Sequence, residues 1–220
     1  MQPQADPFIA PPCHEDITVI HQDEDFLLIN KPSRLLSLSG KHPLNKDSVH
    51  YRLVQNFPTA TLLHRLAFGT SGIMLVALNK TANGVLTKQF QARTVEKTYT
   101  AILHGELSED SGLIDFPIAK DTFPLQKICD LEGKPAQTQY TVLERPDGKR
   151  TRVEFKPLSG RTHQLRVHSQ GIGHPILGCD LYASDEAFAM ATRLMLHASA
   201  LNFDHPLSGE RIEALCPCPF

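Results

Sequence analysis

Gly160-Arg161-Thr162-His163-Gln164-Leu165-Arg166-Val167-His168 places two arginines and two histidines within eight residues. Guanidinium forks, imidazoles and the Gln164 amide are the donors that phosphate oxygens and base edges accept. A helix predicted to open at Thr162 would add backbone N–H groups and its positive dipole end beside Arg161, which makes an anion site. One turn on, His163 and Arg166 share a face, while Leu165 and Val167 attach the helix to a core. The run lies in a basic stretch. Residues 149–168 carry Lys149, Arg150, Arg152, Lys156, Arg161 and Arg166 against Glu154, a net of +5, whereas residues 1–30 carry six acids and no Lys or Arg. On charge alone, a solvated strand face followed by a helix end reads the same way.

A second cluster is Leu63-His64-Arg65-Leu66-Ala67-Phe68-Gly69-Thr70-Ser71-Gly72. Its alternation puts His64 and Leu66 on one face and Arg65 and Ala67 on the other. Ser71 with His64 or His163 suggests a hydrolase. Against that, Gly69-Thr70-Ser71-Gly72 is one residue short of the G-x-S-x-G elbow. A hydrolase would also need a base bonded to Ser71 and an acid orienting that base. On local pattern the segment reads as a structural turn. Tyr99, alternating with Ala101 in Lys97-Thr98-Tyr99-Thr100-Ala101, reads as a half-buried strand tyrosine.

The elements that must hold these residues follow from pattern. Ile17–Ile20 and Phe26–Ile29 flank an acidic loop and predict a hairpin. Asp47 is placed to cap a helix carrying Val49, Leu53 and Phe57, and Thr81 to cap one carrying Val85, Leu86 and Phe90. Gly72–Leu78 is an apolar run that predicts a buried strand. Thr98–Leu103 predicts another strand, and residues 106–134 show little periodicity. Gln139–Glu144 and Thr151–Phe155 predict a hairpin turned at Asp147-Gly148. Thr162 opens a short helix ending at Gly171, and Ser184 opens another. Leu196–Phe203 and Arg211–Leu215 close as strands. The sum is α+β, with a mostly antiparallel sheet and short flanking helices.

The chain has 220 residues, 41% of them hydrophobic, enough for one substantial core or for two half-domains sharing a sheet. A net charge of −2 argues against global attraction to nucleic acid, so any RNA site must be a local patch. No apolar run reaches the length of a membrane span, and residues 1–12 do not read as a signal peptide. Residues 1–16 read as a loose arm. The five cysteines suggest reduced cytoplasmic thiols. Cys216 and Cys218, with Cys13 or His14, are too sparse a set to expect a metal.

The three clusters resemble the RluA-type pseudouridine synthases, whose His-Arg-Leu-Asp core precedes Thr-Ser-Gly. They match at His64-Arg65-Leu66, at Thr70-Ser71-Gly72, at Lys97 and Tyr99, and through Gly160–His168. Asn30-Lys31-Pro32-Ser33 and Gly173-His174-Pro175-Ile176-Leu177-Gly178 add to the likeness. Lys134-Pro135-Ala136-Gln137-Thr138 is similar to the small members that serve both 23S rRNA and tRNA. The resemblance runs from about Ile17 to the C-terminus, and no S4-like domain is expected ahead of it.

The resemblance implies one catalytic domain over 17–220 with a central RNA-binding cleft. It implies no metal or other cofactor, a cytoplasmic monomer, and RNA as partner (23S rRNA and tRNA stem-loops). The catalytic set it implies is position 67, Tyr99 and Arg166, lining one cleft with Arg65 at its mouth. His64, Arg65, Arg161, His163, Gln164 and His168 are the implied RNA-binding residues. Tyr99 would stack on the flipped uracil, and Arg166 would pair with the family's catalytic Asp. That Asp is replaced here by Ala67, which has no lone pair to act as nucleophile or base. An engineered inactive copy and a natural member that only binds RNA both fit. The intact remaining motifs favour the first.

Overall fold

The structure, a computed structural model, describes residues 8–220. The described residues fall into two compact units. The first comprises residues up to Val95 with Ala200–Pro217, the second Glu96–Ser199 with Cys218–Phe220.

The first unit contains β1 (Thr18–Gln22), β2 (Phe26–Lys31), α1 (Val49–Leu53), β3 (Thr61–Leu62), β4 (Ser71–Ala77) and α2 (Lys80–Ala92). The second contains β5 (Glu96–His104), β6 (Ser111–Asp115), β7 (Ile118–Lys120), β8 (Gln126–Ile128), β9 (Gln137–Glu144), β10 (Arg150–Pro157), α3 (Gln164–Gly171) and α4 (Asp185–Ala189). Strand β11 (Leu196–Asp204) gives residues to both units, and β12 (Arg211–Leu215) belongs to the first.

In the first unit the strand order is β1-β2-β4-β11, with β3 on β4 and β12 on β11. The predicted hairpin is present: Asp23 accepts from the backbone N–H groups of Asp25 and Phe26, both at 2.8 Å, and turns β1 into an antiparallel β2. Every residue of β4 is buried, as its unbroken apolar run requires. The helix caps differ from expectation. Ser48 rather than Asp47 caps α1, accepting from Tyr51 N–H at 3.1 Å. Asp47 instead takes Arg52 in a two-point pair, at 2.7 Å for both contacts. Asn79 rather than Thr81 caps α2, accepting from Ala82 N–H at 2.9 Å. Each true cap lies just before the first helical residue with extended backbone, the geometry that lets a short polar side chain reach an orphan N–H.

Of the expected arm, residues 1–7 lie outside the described residues. Residues 8–16 are tied down. Asn45 exchanges hydrogen bonds with Ala10 N–H and the Phe8 carbonyl, and Arg52 donates to the carbonyls of Cys13 and Glu15.

In the second unit the order is β11-β5-β10-β9-β6, and β7 pairs β8 separately. Its core gathers Ala101, Leu103, Val153, Phe155, Leu165, Val167 and Ile176. The β9–β10 hairpin is present, but residues 145–149 make a longer loop than the two-residue Asp-Gly turn expected, with Gly148 at φ +69°. Strands β6, β7 and β8 fall in the stretch that showed no period. They are short, and β6 at the sheet edge buries only Ile114. Helix α3 starts two residues later than predicted. His163, in left-handed backbone at φ 56°, precedes it without a side-chain cap, and Thr162 plays no capping part. Ser184 caps α4 as predicted. The ladders of β1–β2, β2–β4, β3–β4, β5–β10, β6–β9, β7–β8, β9–β10 and β11–β12 are all antiparallel, and the class is α+β as expected.

Asn79 also donates to the Glu24 carbonyl and the Asp25 carboxylate. Asn79→Ala should therefore cost about 1–3 kcal/mol in urea denaturation, while Thr81→Ala should stay within about 0.5 kcal/mol. Equal losses would return the cap to Thr81.

Candidate active site

The backbone around Ala67 is held residue by residue. Leu66 is buried and exchanges two hydrogen bonds with Ser37: its N–H donates to Oγ at 3.2 Å, and Oγ donates to its carbonyl at 2.8 Å. The Phe68 carbonyl accepts from Arg34 N–H at 2.9 Å and from Lys31 Nζ at 3.3 Å. Ser33 Oγ donates to the Gly69 carbonyl at 2.8 Å, and Thr70 N–H closes a turn onto the Ala67 carbonyl at 3.0 Å. Lys31 is fully buried, and its ammonium also donates to the carbonyls of Pro32 and Leu35. A buried ammonium is tolerable only where such acceptors converge. The segment 31–37 thus braces the turn carrying Ala67, whose side chain is half-buried.

Arg65 is exposed and has no ion-pair partner among the described residues. His64 differs from expectation. Its Nε2 accepts from Leu75 N–H at 3.0 Å, and its ring stacks on Phe90 at 5.0 Å. It joins β4 to α2 instead of offering that nitrogen to RNA. Ser71 opens β4 at 3% exposure, closed to any substrate a hydrolase would need.

In the second unit, Tyr99 lies half-buried on β5 and packs on the same core as Ala101. Burial pushes its phenol up to about 12, so it is protonated at neutral pH. Gln164 and His168 also correct the expectation of RNA contact. The Gln164 carbonyl oxygen accepts from Ser159 Oγ and Arg161 N–H, and its amide donates to the Gln137 carbonyl and Thr138 Oγ1. His168 is fully buried between Thr138 Oγ1 at 2.9 Å and the Phe116 carbonyl at 3.0 Å. All their polar atoms are used within the fold. Burial lowers the His168 pKa and keeps its ring neutral.

His163 lies outside α3 and so does not share a helix face with Arg166, but both side chains contact Tyr182. The Arg166 guanidinium lies 5.1 Å from the Tyr182 ring centroid, and His163 Nδ1 is 2.7 Å from the Tyr182 hydroxyl. Arg166, for which the resemblance implies the family's Asp as partner, pairs with Asp180, and its Nε–H donates to Cys179 Sγ at 3.2 Å. Neither Asp180 nor Tyr182 stood out in the sequence. The one signal was Gly173–Gly178 immediately before them. Gly178 turns at φ +67°, and a Cβ there would meet the Arg193 carbonyl oxygen at 2.0 Å, so only glycine can deliver Cys179 and Asp180 to Arg166.

The basic stretch is less free than its sequence suggests. Arg150 pairs with Asp147, Arg152 with Glu144, and Lys156 with Glu154. Arg161 donates to the Pro135 carbonyl at 3.1 Å and is half-exposed. Among the described residues no group of three or more His, Cys, Asp or Glu is placed to hold a metal, and no helix is long and apolar enough to cross a membrane. What remains is, in the second unit, a set of donors suited to oxyanions and, in the first, a braced turn whose central side chain is a methyl group.

A family model described as RNA pseudouridylate synthase matches residues 25–170. The chain is 48% identical over 204 residues to the dual-specificity RNA pseudouridine synthase RluA of Yersinia pestis, covering 92% of this chain and 99% of that protein. It is 44% identical over 212 residues to the protein of the same name from Escherichia coli K12, covering 96% and 97%. Among solved structures, human RNA pseudouridylate synthase domain containing 1 superposes with a TM-score of 0.80 at 33% identity, covering 96% of this chain and 86% of that one.

Burial, then the positive charge of Arg166, lowers the His163 pKa from 6.5 to about 4. The unfolded chain therefore takes up a proton between these values that the folded chain refuses. Stability is full above pH 6.5 and falls as pH drops toward 4. In urea titrations across that window, His163→Gln should flatten part of the decline. An unchanged slope would mean that His163 charges freely in the fold.

Proposed function

This chain belongs to the RNA pseudouridylate synthase family, and we propose that its scaffold serves to isomerise a loop uridine in 23S rRNA, in the tRNA anticodon stem-loop, or in both. The observation that carries this reading is the identity of 48%, nearly end to end, with a protein named for dual-specificity RNA pseudouridine synthesis. In the reaction the C1′–N1 bond breaks, the uracil turns, C5 joins C1′, the C5 hydrogen leaves as a proton and N1 takes up a proton. The base must leave its stack to be reached, which costs least in a loop. We assign Arg65 to the phosphate backbone and the flip, and Tyr99 to stacking on the extruded uracil. Position 67 is assigned to the carboxylate that attacks C1′ or takes a sugar proton. Arg166 is assigned to keeping that carboxylate ionised.

Ala67 can perform neither step, so the chain as written binds RNA and does not convert it. The second reading, an RNA-binding protein without catalysis on the same scaffold, rests on Ala67 alone. Ala67→Asp separates the two. Tritium release from RNA labelled at uridine C5 should rise by about 10⁴-fold or more. Affinity should change by less than about tenfold, because the carboxylate acts at bond breaking and not in binding. No turnover by the Ala67→Asp protein on any RNA supports the binding-only reading. Robust turnover by the Ala67 protein would mean that the acting residue lies elsewhere.

Affinity for a tRNA stem-loop should fall steeply with salt despite the net charge of −2, since each phosphate contact releases counterions. Arg65→Ala should weaken binding and reduce the salt slope by about one. Salt-independent binding would place the RNA elsewhere on the surface.

A further inference from the structure

We propose that Tyr182 is a positioning residue that fixes His163 in its Nε2–H form, so that His163 presents an uncharged donor to a non-bridging phosphate oxygen of the RNA. The inference rests on the RNA-binding reading above. It concerns residues of the second unit only.

The direction of the proton follows from what surrounds the Tyr182 hydroxyl. Gln126 backbone N–H donates to it at 3.0 Å, and an amide can do nothing else. One lone pair is therefore occupied, and the hydroxyl proton needs an acceptor. Tyr182 is 6% exposed, so water is largely withheld from it. His163 Nδ1, at 2.7 Å, is the other contact of the hydroxyl among the described residues. If Nδ1 carried a proton, two donors would face one oxygen and the hydroxyl proton would have nowhere to go. The satisfied arrangement runs from Gln126 N–H to Tyr182 O–H to a bare Nδ1. The imidazole proton is then on Nε2.

The charge state agrees. The groups bearing on His163 are Arg166, which opposes protonation, and Asp180, which favours it, with burial outweighing both. Asp180 is engaged by Arg166. The ring is neutral near pH 7, and burial raises the Tyr182 pKa, which keeps the phenol protonated. His163 Nε2 has no hydrogen-bond partner among the described residues. Its left-handed backbone places it just before the first residue of α3, where the positive charge of Arg166 bears on it. A neutral donor beside an arginine already engaged by a carboxylate can give an oxyanion a directed hydrogen bond without adding charge to the cluster. The relay also ties β8, through Gln126, to the start of α3.

Two-bond proton–nitrogen NMR of the imidazoles reads the tautomer directly. The unsubstituted chain should show His163 with Nε2 protonated, and Tyr182→Phe should give a mixture. Tyr182→Phe should also weaken stem-loop binding about five- to tenfold. The salt slope should not change, since no charge is lost. In the His163→Gln protein, whose amide donor needs no tautomer, Tyr182→Phe should cost nothing further. Nδ1 protonated in the unsubstituted chain overturns the inference, and that measurement needs no variant to fold. An unchanged affinity in a folded Tyr182→Phe protein, or a loss that persists in the His163→Gln background, overturns it too. Absence of RNA binding by the unsubstituted chain overturns the RNA-binding reading and the donor's role together. The tautomer measurement still decides the relay separately.

Discussion

A lysine ammonium with no solvent exposure demands a cage of acceptors, and Lys31 takes the carbonyls of Pro32, Leu35 and Phe68. These carbonyls come from two segments far apart in sequence. Satisfying one buried cation therefore locks the turn at 66–70 to the strand end at 31. Ser33, Arg34 and Ser37 then complete the attachment at Gly69, Phe68 and Leu66. The turn has no helix or strand of its own to define it. Its geometry is set by a neighbouring segment, which leaves the side chain at 67 free to carry chemistry without carrying structure. Ala67 is consistent with this division: the brace acts on backbone atoms of its neighbours and does not need a carboxylate to close.

The second unit solves a different problem. Helix α3 turns Gln164, Leu165, Arg166, Val167 and His168 inward, so polar groups enter a core that must satisfy them. Thr138 is shared between Gln164 and His168, donating to one side and accepting from the other. The consequence is rigidity at the base of the helix, where a partly satisfied network would be costlier than an apolar one. The donors left to face outward, Arg161 and His163, stand on that rigid base.

Strands with an unbroken apolar run or clean alternation were legible in the sequence: β2, β4, β5, β9 and β10 all lie where pattern placed them. Where the apolar run is unbroken, as in β4, every residue is buried, whereas β9 buries only Thr138. Short edge strands were not legible, because β6, β7 and β8 bury too few side chains to leave a period. Helix starts were misread by one or two residues, since Asp47, Thr81 and Thr162 are as suitable by type as the true neighbours. Only backbone geometry selects among them. The motifs picked out the right segments, yet residue type did not reveal which donors faced inward. His64, Gln164 and His168 look like ligands for phosphate and serve as hydrogen-bonding struts. Asp180 and Tyr182 look unremarkable in sequence, because their importance comes from a turn at Gly178 that brings them to α3.

These assignments change how charge reads in the protein. A net of +5 over 149–168 suggested a strong local field. Most of those cations hold a nearby carboxylate, three of the four partners lying outside the stretch. The exposed pairs among them add little to stability, but they shorten the reach of the positive field. An acidic body with paired cations attracts RNA weakly at long range, so discrimination must come from contacts made after encounter. Directed donors suit that regime better than more charge would. On the proposed reading, an exposed arginine such as Arg65 would supply the counterion-releasing contact, and oriented neutral groups would fix the register of what has docked. The same logic explains why a buried Arg166 is tolerated. Held by Asp180, Cys179 and the Tyr182 ring, it works as an oriented donor within a neutralised cluster rather than as a free positive charge.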